Sequence, residues 1–86
     1  MSYPHLTGHA RRKAMLDRVR LSGQVWKLLR QRDKMEARLG HLTAAGSAGQ
    51  DVGQLIHLSR LGLEAVQRRL TEANRHLGTV ERRLAA

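Results

Sequence analysis

Residues 52–84, VGQLIHLSRLGLEAVQRRLTEANRHLGTVERRL, decide the fold. Stepping alternately by four and three picks out Val52, Ile56, Ser59, Leu63, Val66, Leu70, Ala73, Leu77, Val80 and Leu84. That rhythm is a heptad repeat, which lays one narrow stripe along a helix, and only Ser59 breaks its apolar character. No Pro interrupts the stretch. A single helix of about 50 Å follows from a rise of 1.5 Å per residue. A helix with so narrow a stripe needs a second helix to lie along it.

The first half of the chain supplies one. Leu21, Val25, Leu28, Arg32, Met35, Leu39 and Leu42 keep the same spacing, and Ala14 and Arg18 carry it toward the N-terminus. Between the stripes lies Thr43-Ala44-Ala45-Gly46-Ser47-Ala48-Gly49-Gln50, small residues without apolar periodicity and long enough to join antiparallel neighbours. Folding the chain there sets Leu42 near Val52, Leu39 near Ile56, Leu28 near Val66, Val25 near Leu70 and Leu21 near Ala73. The expected fold is therefore all-α, an antiparallel two-helix hairpin of coiled-coil type. Its seam holds Leu21, Val25, Leu28, Leu39, Ile56, Leu63, Val66, Leu70 and Leu77. Residues 1–9 read as a lead-in, followed by a helix over about 10–42, a loop over about 43–50 and a helix over about 51–84. Thr7 is the expected cap of the first helix and Asp51 of the second. Gly23 and Gly62 stand inside helices, where a close approach by a neighbouring backbone would account for them. Glu64 with Arg68, and Glu72 with His76, have the spacing of helical ion pairs.

Eighty-six residues make one small domain, and two helices offer a single thin contact seam. With no Phe, one Tyr and one Trp, the chain lacks the aromatic bulk of a compact core. It has no Cys, so disulfides and thiolate zinc sites are excluded as staples. A scaffold of this size without staples relies on a partner or on a second copy of itself. No apolar run reaches the roughly 20 residues that cross a bilayer. The first residues also lack the apolar core of a secretory signal, and a soluble, cytoplasmic protein is expected.

Each helix carries more apolar surface than the seam uses. Met15, Val19, Trp26 and Leu29 form a second stripe beside the first on the N-terminal helix, and Leu55, Leu58, Leu61 and Ala65 do so on the other. These flanks are the expected partner-binding surface, with Met15, Val19, Trp26, Leu29, Leu55 and Leu58 as its residues and Trp26 as its main anchor. Burying Met15, Val19, Trp26 and Leu29 would contribute on the order of 6–12 kcal/mol as an upper bound.

The formal net charge is +9. Ten Lys or Arg against three acids fall between Arg11 and Arg38, and six against four from Asp51 onward, so the first helix carries most of the excess. Such a charge attracts nucleic acid, an anionic membrane or an acidic protein. The cations read as spread around the first helix, with no aromatics for base stacking and no nucleic-acid-reading motif. Weak, salt-sensitive, sequence-independent nucleic-acid binding is what this supports.

His5 and His9 have a metal-compatible i,i+4 spacing, but no Asp, Glu or Cys nearby completes a shell. No metal or cofactor is expected. Residues 28–33, Leu28-Leu29-Arg30-Gln31-Arg32-Asp33, faintly resemble the helical chorismate mutases, yet that fold needs a third helix for which no sequence remains. Neither a nucleophile–base set nor a Gly-rich phosphate loop is present, and catalysis is not expected.

The segments Leu28-Leu29-Arg30-Gln31-Arg32, Glu36-Ala37-Arg38-Leu39 and Leu55 through Glu72 resemble the small co-chaperones of type III secretion needle subunits. The likeness covers most of the chain and lies in size and pattern: a short lead-in, a charged first helix, a small-residue loop and a second heptad helix. It implies a cytoplasmic hairpin that pairs with a tetratricopeptide-like chaperone and keeps a secreted needle subunit monomeric and soluble before export. A self-associating coiled-coil protein and a basic helical protein associated with nucleic acid share the same pattern.

Overall fold

The first helix starts where its sequence offers a cap. Thr7 adopts an extended conformation and its Oγ1 accepts a hydrogen bond from the Ala10 N–H at 3.2 Å, satisfying one of the free donors of the first turn. The computed structural model describes residues 7–85 and places two helices there, α1 over Gly8–Ser47 and α2 over Gly53–Ala85. His5, half of the histidine pair considered above, lies outside the described residues. The helices run back along one another as an antiparallel hairpin, with no strand among the described residues.

Helix α1 runs one turn further than expected, taking in Thr43–Ser47. Alanine favours helix, and the Thr43 hydroxyl donates back to the Leu39 carbonyl at 2.8 Å, so nothing in these residues stops it. Gly46 lies where the two helices of the hairpin close: a Cβ there would stand 3.4 Å from Val52 Cγ2 and 3.6 Å from Ile56 Cδ1. The stop comes at Gly49, with φ of +94°. Its N–H donates to Gly46 O at 3.0 Å and that of Gln50 to Ala45 O at 3.1 Å, the paired bonds of a Schellman ending. The connection shrinks to residues 48–52.

Asp51 does not cap α2. The Val52 N–H donates to the Gln50 carbonyl at 3.1 Å, which folds Asp51 into a three-residue turn, and the Val52 carbonyl accepts the first helical bond from Ile56 at 2.9 Å. The cap position thus falls to Val52, whose side chain is committed to Gly46 across the seam. Packing overrides capping chemistry here.

The buried and half-buried positions follow the predicted stripes. Leu21, Val66, Leu70, Ala14 and Ala73 are buried, Val66 to 2% exposure, while Val25, Leu28, Leu39, Leu42, Val52, Ile56, Leu63, Leu77, Val80 and Leu84 are half-buried. Arg18 is the exception. It stands at a seam position but is exposed, because an unpaired guanidinium is too costly to bury. Arg32 compromises: its stem is half-buried and its Nε has neither solvent nor a hydrogen-bond partner, while Nη2 reaches Asp33 at 3.4 Å.

Gly23 has no neighbour within 4 Å of a would-be Cβ, so no backbone approach explains it. Gly62 is covered by a side chain rather than a backbone: Met35 Cε would lie 2.7 Å from its Cβ. Apart from the Thr7 cap, every side-chain hydrogen bond and ion pair among the described residues joins groups within one helix. Apolar contact and the short connection alone hold α1 to α2.

Candidate interaction faces

The hairpin is a rod of 62 × 22 × 14 Å with a radius of gyration of 19.2 Å. A compact chain of this length would have a radius near 12 Å. Its accessible surface is 6948 Å², where a compact monomer of 9.7 kDa would expose about 5,100 Å². The difference is about twice the roughly 800 Å² that one partner contributes to a standard protein–protein interface.

Heptad positions locate the surplus apolar residues. Writing each repeat abcdefg with the seam at a and d, Met15 and Leu29 fall at e and Val19 and Trp26 at b of α1. Leu55 falls at g and Leu58 at c of α2. In an antiparallel pair the e positions of both helices border one side of the seam and the g positions border the other. The grooves agree with this: Met15 shares one with Arg18, Glu81 and Leu84, whereas Leu55 and Leu58 share one with Met35, Arg38 and Ser59. The six residues expected to bind a partner therefore form two patches, on opposite sides of the hairpin and toward opposite ends.

The α1 patch is the more open. Trp26 is 67% exposed, Val19 68% and Met15 44%. Leu29 differs from these three, since it is half-buried at the edge of the seam and already serves the hairpin. Leu16, at 70% exposure, joins the patch although the e and b positions do not include it. Its spacing of three residues from Val19 and ten from Trp26 carries the signal, because all three share one helical flank. On α2, Leu55, Leu58 and Leu61 are exposed and Ala65 half-buried.

The cations are more ordered than a reading around the helix suggests. Lys13, Arg20, Lys27 and Lys34 recur every seven residues in the c column of α1, and Arg69 and Arg83 stand in the g column of α2 with His76 midway between them. Among the acids, Glu72 is committed within its own helix: both carboxylate oxygens lie 2.6 Å from Arg75 Nη2, and Oε1 is 3.0 Å from His76 Nε2. The Arg75 hydrogen bonds first, and then that of His76, hold the Glu72 carboxyl below its usual range. It stays ionised at neutral pH, and the stabilisation of this local pair is present above the ordinary carboxylate range and lost as pH falls through the lowered value. The Glu64–Arg68 pair is not among the ion pairs formed.

No helix among the described residues is long and apolar enough to cross a membrane, and no three His, Cys, Asp or Glu among them are grouped to hold a metal ion. Comparison with protein-family models, with curated proteins and with solved structures returns no match.

Proposed function

We propose that this chain is a protein-interaction module whose α1 flank of Met15, Leu16, Val19 and Trp26 packs against a helical partner protein. The observation that carries the reading is the exposed indole of Trp26, set among exposed aliphatic side chains in a rod with only five buried residues among those described. Water gains little from such a patch, whereas a facing helix would remove it from solvent and add a core that the hairpin lacks. The specific form we propose is a cytoplasmic co-chaperone of the type III secretion kind, pairing with a tetratricopeptide-like chaperone to keep a needle subunit soluble. Its support is the size, the hairpin and the open flank.

Affinity capture from the source cells at moderate salt, followed by reconstitution with the purified proteins identified, tests it. Wild-type chain should recover a tetratricopeptide protein and a needle subunit, Trp26 emission should shift to the blue in the complex, and Trp26→Ala should lose both. A chain that stays monomeric with both proteins present, or that pairs only with itself, rejects the co-chaperone reading.

A further inference from the structure

The side of the hairpin opposite Trp26 carries a different surface. A groove of about 590 Å³ runs along the seam there, lined by Arg20, Leu21, Gln24, Lys27 and Leu28 from α1 and by Arg69, Glu72, Ala73 and His76 from α2. Its floor is the edge of the apolar seam, Leu21, Leu28 and Ala73. One rim holds Arg20 and Lys27, the other Arg69 and His76. Lys13 and Lys34 continue the first rim at seven-residue steps, and Arg83 continues the second. Lys27 and Arg69 have no ion-pair partner among the described residues, and the one acid lining the groove, Glu72, is already held by Arg75 and His76.

We infer that this groove receives an acidic amphipathic helix from a partner protein, laid along the hairpin as a third helix. Rim charges seven residues apart stand about 10.5 Å from one another, the repeat of a helix whose Glu or Asp residues flank an apolar a/d stripe. That helix lays its stripe along the seam edge at half-buried Leu28, above the buried Leu21 and Ala73, and sets its acids against Lys27 and Arg69. Charge complementarity selects the partner and speeds encounter, while the apolar floor supplies contact that simple counterions cannot use. A nucleic-acid strand fits less well. The chain's only tryptophan lies on the other side, no Phe, Tyr or Trp lines the groove for base stacking, and a phosphate backbone makes no use of a leucine seam edge. The inference does not depend on the Trp26 flank.

The test uses the full chain and three labelled probes in fluorescence anisotropy at 150 mM salt. The first is a 21-residue peptide with Leu at a and d and Glu at e and g. The second has the same composition with its Glu residues moved to the outer face, and the third is a 20-nucleotide single-stranded DNA. The patterned peptide should bind saturably, at least tenfold more tightly than either other probe. Lys27→Glu with Arg69→Glu, both exposed, should weaken it at least tenfold with the circular dichroism of the hairpin unchanged, and Trp26→Ala should leave it unaltered. Equal affinity for the rearranged peptide would reduce the groove to a generic cationic surface. Tighter binding of the DNA would assign the face to nucleic acid, and no binding of the patterned peptide would leave it without its partner. Each of these three results overturns the inference.

Discussion

The two sides of the hairpin's terminal half are built on the same seam and differ in almost everything else. On one side Met15, Val19 and Trp26 are exposed. On the other, Arg20, Lys27, Arg69 and His76 border a groove over Leu21, Leu28 and Ala73. The contrast arises because a heptad helix fixes only two columns, a and d, and leaves five free to carry other chemistry. A two-helix rod exposes nearly all of those columns. Among the described residues no third helix lies over either side.

Destroying the seam removes both sides at once. Leu70→Asp should unfold the hairpin, since a charge at this buried position costs several kcal/mol against a fold with few buried residues. Circular dichroism should lose most of its helical signal. A protein that keeps its helicity would show that the seam does not bear the fold.

Removing the indole acts on one side. Trp26→Ala should weaken association with the helical partner by about 2 kcal/mol, roughly 30-fold, while the hairpin's melting curve stays in place. Leu29→Ala should lower both partner affinity and thermal stability, because Leu29 is half-buried in the isolated hairpin. A titration in which the two variants behave alike would erase the distinction between flank and seam edge.

Salt should separate the sides by mechanism. Raising sodium chloride from about 50 to 500 mM shortens the screening length from over 10 Å to under 5 Å. Peptide binding in the basic groove should fall about tenfold, while association through the Trp26 flank changes by less than a factor of two. Parallel loss at both sides would mean that charge, not apolar contact, drives the flank. The smallest effect is expected at Gly23, which has open space around its Cα. Gly23→Ala should raise stability by up to about 1 kcal/mol in thermal denaturation without altering binding at either side.

Much of this organisation was legible before any coordinates. The spacing of Leu21, Val25, Leu28, Val66, Leu70 and Leu77 foretells which residues turn inward, because a period near 3.5 residues leaves one seam per helix, and the short connection sets how the two stripes align. Thr7 was legible as a cap because its chemistry acts on its own helix. Asp51 was not. Whether a residue caps depends on where the backbone goes, and here closure of Val52 onto Gly46 set the path. The end of α1 falls later than the pattern predicts for a related reason. Ala-rich residues suit helix and loop alike, and only the positive φ of Gly49 marks the break.

The sequence by itself determined the two helices and the surplus apolar and basic residues, since these depend on periodicities within a single segment, and their antiparallel pairing, since a short small-residue link joins two matching stripes. Tertiary structure decided how that surplus is divided. Which column of α1 borders which column of α2 follows from two helices laid side by side, antiparallel, with the seam between them. That arrangement separates Leu55 and Leu58 from Trp26, and it brings Lys27 of one helix and Arg69 of the other to a common groove. Position around one helix is a property of spacing. Position around a pair is a property of packing.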